Sequence, residues 1–315
     1  MNNREIRIER NGASQHNIEN LSVSFLVHPR DTGGKLSMAK VAARSETTFN
    51  PIFRKNEDVL IYVCEGDIEI RLPGDVKKLS SRDLAFIPRG CGHGIQMAPS
   101  TTALFAFSPG GIELPMKELA ESGFNPFASP EADRELLIWD VLPMDTLQQE
   151  SDFIESAAAA PIFVTSDEGE KYWLAGDEYT IKLSGSQTQG RFCVVHFLIP
   201  PGGGPVPHIH LRDEEVFHIL SGEANFYANG KVVSGAVSDT AVLPRGIAHA
   251  FRNASSAASE FLTFVAPAGF DDFVRSAGVA ALPDMAPPSP NEAERERLMA
   301  ASQRFGVKLL PEIQW

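Results

Sequence analysis

Gly202-Gly203-Gly204-Pro205-Val206-Pro207-His208-Ile209-His210-Leu211-Arg212-Asp213-Glu214-Glu215, followed by Gly222, is the stretch on which the reading of this chain turns. Glycine and proline shape a loop, and two imidazoles follow at i and i+2, a spacing that on an extended strand points both to one face. Glu215 opens the next apolar run. A fourth candidate, His249, lies downstream in Pro244-Arg245-Gly246-Ile247-Ala248-His249-Ala250-Phe251-Arg252-Asn253. Three neutral imidazoles and one carboxylate converging inside a barrel suit a divalent Fe, Mn, Ni, Co or Cu ion with open positions, and zinc less exclusively.

Outward from that stretch, the chain consists of many short apolar runs cut by Gly, Pro, Asn and Asp, the pattern of antiparallel all-β sandwiches and barrels. Strands read at 23–28, 35–43, 59–63, 67–71, 84–87 and 103–107, and again at 179–183, 191–199, 216–220, 224–228, 240–243 and 260–266. Helical periodicity is confined to 115–122, 130–139 and 291–305, the last opened by Ser289-Pro290-Asn291-Glu292. The two strand sets are a duplication. Sliding the sequence by 156 residues places Gly34 on Gly190, Pro51 on Pro207, Gly66 on Gly222, Asp83 on Asp239, Pro88-Arg89-Gly90 on Pro244-Arg245-Gly246 and His93 on His249 without a gap. Most of the eleven identities over positions 34–93 fall on turn-forming residues, so one fold is used twice.

The two segments resemble the signature motifs of the cupin superfamily. Gly202, His208, His210, Glu215 and Gly222 match the first motif; Pro244, Gly246, His249 and Asn253 match the second, with Ser238 standing where its opening glycine would be. The Ile199–His210 run, the Pro267-Ala268-Gly269-Phe270-Asp271-Asp272-Phe273 turn and the terminal helix ending in Phe305-Gly306-Val307-Lys308-Leu309-Leu310-Pro311 are similar to bacterial quercetin 2,3-dioxygenase-like bicupins. The resemblance implies an all-β chain of two tandem jelly-roll barrels with a few short helices. Residues 1–125 would form the first barrel, 126–165 a connection, and 166–315 the second barrel with the metal on His208, His210, Glu215 and His249. The seven-residue step from Glu215 to Gly222 selects Glu215 over Glu214, and alternation then turns Phe217 and Ile219 inward while His218 faces the other way. His196 reads equally as a packed histidine or one supporting a ligand. In the first half the same offset puts Ile52, Arg54 and Val59 on the ligand positions, and only His93 persists. Because Arg has no acceptor and stays protonated, that barrel is expected to be metal-free. Arg54, Lys55 and His93 then belong either to a barrel kept for packing, the favoured reading since Ile52 and Val59 add bulk, or to a pocket for an anionic group.

Composition narrows the function. In 315 residues, 28 Lys and Arg stand against 41 Asp and Glu, a net charge of −13, with no basic cluster to attract nucleic acid. The start lacks a secretory apolar core, and no stretch is apolar enough to span a bilayer, so a cytoplasmic protein is expected. Cys64, Cys91 and Cys193 lack Cys-x-x-Cys spacing and read as small apolar fillers. Neither a dinucleotide nor a Walker fingerprint is present. The first expectation is a dioxygenase acting on an aromatic or enolic small molecule with O2, through one divalent transition metal per chain, iron foremost, with Mn, Ni, Cu or Zn as alternatives. Glu215 would accept the substrate proton, and Phe217, Phe226, Tyr227 and Phe251 are candidates for an aromatic pocket. The second is a non-oxidative cyclase, isomerase or lyase on the same metal; the third is a binding or storage protein. A homodimer is the expected assembly, with the N-terminal arm and the terminal helix packed across a barrel of the same or the other chain.

Overall fold

The computed structural model describes residues 5–12, 15–125, 141–143, 160–228, 230–283, 285, 287–289 and 291–311. The chain divides into two compact units, 12–168 and 1–11 with 169–315. Each unit is built on a pair of antiparallel sheets.

In the second unit, eight strands form one sheet in the order Arg7–Glu9, Thr240–Leu243, Glu214–Ser221, Ser259–Ala266, Cys193–Ile199, Asp177–Leu183, Glu170–Leu174, Val279–Ala280. The other sheet runs Lys231–Gly235, Ala224–Ala228, His249–Asn253, His208–His210, Val307–Leu309. Strict alternation selects the inner face: along Cys193–Ile199, Val195, Phe197 and Ile199 enter the core, while His196 turns outward. Phe197, Phe217, Phe226, Phe251 and Phe261 fill the core in edge-on and tilted contacts. Burying such a ring stabilises the fold by about 1.5–3 kcal/mol.

The first unit repeats this plan. Seven strands follow the order Ile162–Val164, Leu84–Ile87, Asp58–Glu65, Thr101–Ser108, Ser37–Ala43, Leu21–Val27, Gln15–Ile18, and five the order Val141–Pro143, Thr47–Arg54, His93–Met97, Ile68–Leu72, Asp75–Leu79. The 156-residue offset persists in the pairing register. His208 lies opposite His249 and Ile52 opposite His93; Glu215 lies opposite Leu243 and Val59 opposite Ile87. Buried carboxylates held by an arginine repeat too: Arg245 donates its backbone N–H to Glu214 (2.8 Å) as Arg89 does to Asp58 (2.9 Å).

Several strands and two helices, Pro29–Thr32 and Phe270–Ala277, lie beyond those read from sequence among the described residues, and the expected division is corrected at both ends of the first barrel. Arg7–Glu9 pairs with Thr240–Leu243, so the start of the chain completes the second barrel rather than the first; Ile8 packs on that core. Within the expected connection, Val141–Pro143 pairs with Thr47–Arg54 and Ile162–Val164 with Leu84–Ile87, making both segments edge strands of the first barrel. The segment read as a turn at 267–273 becomes a helix from Phe270 to Ala277, because Phe270, Phe273, Val274 and Ala277 form an apolar stripe at helical spacing and Asp271 and Asp272 suit its first turn. The terminal helix Glu292–Phe305 starts where expected: the Asn291 side chain accepts the Glu294 N–H at 3.0 Å. It packs on the second barrel of its own chain through Leu298, Ala301 and Phe305. The expected helix at 115–122 is found at Glu113–Glu121, and that at 130–139 lies outside the described residues.

Candidate metal centre

Three consecutive features of the sequence bring the four side chains together. The glycine loop must pass close to the backbone of Phe251: a Cβ on Gly204 (φ +130°) would lie 2.2 Å from the Phe251 carbonyl oxygen. His208 and His210 then enter on one face of a three-residue strand, with His249 opposite His208. Glu215 arrives from the facing sheet, on a strand ended by Gly222 (φ +74°), where a Cβ would meet Ser259 Oγ at 2.2 Å. One ligand atom from each of His208, His210, Glu215 and His249 lies within 4.8 Å of the others, and all four residues are buried.

The hydrogen bonds around the rings fix their tautomers. Nδ1 of His208 donates to the Val206 carbonyl (2.8 Å) and Nδ1 of His249 to the Ile247 carbonyl (3.0 Å), while Nδ1 of His210 donates to the Asp213 carboxylate (3.2 Å). A carbonyl can only accept, so in the neutral rings Nε2 carries the lone pair. Those Nε2 atoms face inward: His208 and His210 stand 3.1 Å apart, His249 lies 3.0 Å from Glu215 Oε2 and His210 3.4 Å from Glu215 Oε1. Converging lone pairs beside a carboxylate repel one another unless a cation or protons sit between them, so the donor set fits a divalent metal. The electrostatics agree. Burial would raise the Glu215 carboxyl, but positive charge on the His210 and His249 side, where a cation would otherwise stand, holds it at about 2; burial and the same positive charge push His208 well below the usual histidine range.

Above the cluster lies a cavity of about 310 Å³. Tyr179, Phe197, Phe217, Phe251, Phe270 and Phe273 supply its aromatic walls, and among the described lining residues there is no Lys or Arg. Phe270 stacks on Phe197 (5.8 Å) and reaches the His210 ring (6.2 Å). Tyr179 directs its hydroxyl to Asp177 at 3.4 Å.

The other sequence candidates fall into place individually. Glu214 turns away and accepts from Arg245; His196 pairs with Glu260 at 2.9 Å, and His218 bonds Thr240 Oγ1 at 2.9 Å. Phe217 and Phe251 line the cavity. Phe226 is buried beneath them, and Tyr227, on alternate parity from Phe226, lies on the opposite face; neither lines the cavity. The thiols of Cys64, Cys91 and Cys193 are free, and burial raises each. The sequence reading missed Asp213, Tyr179 and the Phe270/Phe273 pair. Asp213 has a signal, a carboxylate three residues past a ligand histidine, but Tyr179 lies in a strand with no motif.

Two jelly-roll units, the second with three histidines and a glutamate inside it, define a bicupin. The cupin domain model matches residues 195–265, the stretch that holds all four clustered residues. The chain is similar to quercetin 2,3-dioxygenase of Bacillus subtilis (strain 168), 23% identical over 304 residues covering 91% of this chain and 90% of that protein. Among solved structures, oxalate decarboxylase from Bacillus subtilis superposes with a TM-score of 0.56 at 13% identity over 83% of this chain and 76% of that one. The formate complex of Lactobacillus farciminis oxalate decarboxylase gives 0.57 at 13% over 83% and 86%. These likenesses to solved structures concern the fold. The cupin match and the likeness to quercetin 2,3-dioxygenase, together with the ligand cluster, support a metal-dependent bicupin enzyme. Among the described residues, no helix is long and apolar enough to cross a membrane.

Proposed function

We propose that this bicupin is a metal-dependent dioxygenase of the quercetinase-like type, acting on an aromatic or enolic small molecule through one iron held by His208, His210, Glu215 and His249. One observation carries the reading: the cluster forms the polar end of a cavity of about 310 Å³ with otherwise aromatic and aliphatic walls. That volume lies at the lower end of the roughly 300–1,000 Å³ typical of small-molecule sites. A planar ring is held flat by Phe197, Phe217 and Phe270 and excludes water as it enters, leaving its hydroxyl at the polar end. A small dianion of the kind named in the oxalate decarboxylases meets no cationic side chain in the described lining.

When bound, the metal supplies Lewis acidity and redox chemistry toward dioxygen. The chain supplies the proton acceptor. Glu215, ionised at neutral pH, takes the proton of the substrate hydroxyl, and the Asp213–His210 bond keeps the neighbouring imidazole in the tautomer that presents Nε2. Glu215→Gln is expected to retain metal and lower turnover by about 10²-fold, since it keeps an oxygen donor but loses the base. Oxygen-electrode assays on a flavonol and β-diketone panel test the reading. Oxygen uptake matched to substrate loss supports it; the same product formed anaerobically assigns the site instead to a non-oxidative cyclase, isomerase or lyase. A homodimer is the proposed assembly, to be checked by light scattering.

A further inference from the structure

In the first barrel, the positions of His210 and His249 are taken by Arg54 and His93, and both side chains are buried with unmatched polar atoms. Arg54 is 5% exposed, and its guanidinium carbon lies 5.1 Å from the centre of the Phe107 ring, which holds the group in place. Its Nε and Nη1 are buried with no hydrogen-bond partner. Glu57 acts on Arg54 through its charge but bonds neither of these atoms. His93, 1% exposed, donates Nδ1–H to the Cys91 carbonyl at 3.1 Å. Its Nε2 is therefore an acceptor, and it too is buried without a partner. Burial, and then the Arg54 charge, lower His93 to about 4, so the ring is neutral near pH 7; Arg54, lowered by burial to about 10, is still charged there.

These groups ask for two things at once. The guanidinium needs anionic oxygen, and the imidazole needs a donated proton. A divalent cation satisfies neither the Arg54 charge nor its donors. Chloride or acetate answers Arg54 alone and sets negative charge against a lone pair. Ile52, facing His93 across the strand pair, and buried Val59 complete the four stations with apolar bulk, which limits any ligand to a few heavy atoms.

We propose that the first barrel binds, between Arg54 and His93, a small oxyanion that carries its own hydroxyl, in the class of bicarbonate and the shortest α-hydroxy acids. Its occupancy stabilises the first barrel by mass action, independently of the chemistry in the second.

The test is calorimetric titration of the full-length protein, dialysed against chelator, with sodium glycolate, sodium bicarbonate and sodium acetate at constant ionic strength. One saturable site per chain is expected for glycolate or bicarbonate, with acetate at least about 10-fold weaker. Arg54→Met should weaken binding by more than about 10-fold; Arg54→Lys, which keeps the charge, covers a Met variant that fails to fold and should bind with reduced affinity. His93→Phe should erase the advantage of glycolate over acetate. His249→Ala, which breaks the cluster in the second barrel, should leave this binding unchanged. Absence of saturable heat, equal binding by Arg54→Met, loss of binding in a folded His249→Ala protein, or a glycolate-soaked crystal with only water between Arg54 and His93 each overturns the proposal.

Discussion

In the second barrel, three imidazoles and a carboxylate meet at one point; in the first, the same four stations hold Ile52, Arg54, Val59 and His93, on strands paired in the same register. What the two halves share is the frame: tight turns, buried carboxylate–arginine pairs and cross-strand register. What they do not share is the chemistry placed inside it. Turn residues fix backbone geometry whatever side chains point inward, so a jelly roll can lose its metal ligands and keep its shape.

The largest effect that could break this comparison is metal stoichiometry. About one divalent metal per chain is expected by elemental analysis, because a guanidinium at position 54 cannot ligate. His208→Ala or His249→Ala should remove most of it and lower activity by more than about 10²-fold. His93→Ala should leave the content unchanged. Two metals per chain would show that the first barrel had been misread.

A smaller effect tests the shared frame. Arg89 reaches Asp58 through Nε (3.1 Å) as well as its backbone N–H, and Arg245 reaches Glu214 through the same two groups (Nε at 3.3 Å). Asp58→Asn and Glu214→Gln should each cost about 1–3 kcal/mol in denaturant unfolding, by weakening bonds to a buried charge. Glu214→Gln should nevertheless keep its metal, in contrast to the histidine variants. Loss of metal on that change would move the ligand one residue along the strand.

Much of this is legible in the sequence. The seven-residue step to Gly222 picks Glu215 over Glu214, the period of two turns His218 away from the cluster, and an ungapped offset carries the shared register. The shape of the substrate cavity was not legible. Its aromatic walls come from Tyr179, whose strand has no motif, and from Phe270 and Phe273, in a segment too short and too rich in turn formers to declare itself a helix. Leu298 and Val307 reach the cavity from the end of the chain through packing that no local pattern encodes. The edge strands Arg7–Glu9, Val141–Pro143 and Ile162–Val164 are three residues each, and only the sheet they join gives them a conformation.

The next contrast lies on strands Asp177–Leu183 and Leu21–Val27, related by the same offset. Leu21 and Val23 are fully buried and apolar where the second barrel has Asp177 and Tyr179. Asp177 is 1% exposed, and burial raises its carboxyl to about 7, against the weaker opposing effects of the Tyr179 hydroxyl and the Arg252 charge. The folded chain therefore holds a proton that the unfolded chain, with a carboxyl near ~3.9, gives up earlier. The stability from that proton is complete below ~3.9 and is lost as pH rises through about 7. Asp177→Asn removes the dependence. Its unfolding free energy relative to the parent should improve by about 2–3 kcal/mol between pH 5 and 8, whereas Leu21→Asn should destabilise at every pH. A flat difference for Asp177→Asn would mean the carboxyl is ionised throughout.

The smallest effect concerns the turn at which this sequence departs from the cupin motif. Ser238 adopts φ 68° and donates its N–H to the Ile219 carbonyl at 2.8 Å; Arg82, 156 residues earlier, adopts φ 74° and donates to the Val63 carbonyl at 2.7 Å. Both barrels thus hold a non-glycine residue in the left-handed region, where Cβ crowds the following carbonyl at a cost of roughly 1–2 kcal/mol. Glycine relieves that strain but brings more freedom to the unfolded chain, worth roughly 0.5–1 kcal/mol in the opposite direction. Ser238→Gly should therefore stabilise by only about 0.5 kcal/mol, seen as a small upward shift of the denaturant midpoint at constant m-value. Arg82→Gly should gain less, because the Arg82 side chain has interactions of its own to lose. If Ser238→Gly destabilises instead, the serine contributes something to this turn beyond its backbone, and the two barrels differ in their frame as well as in their ligands.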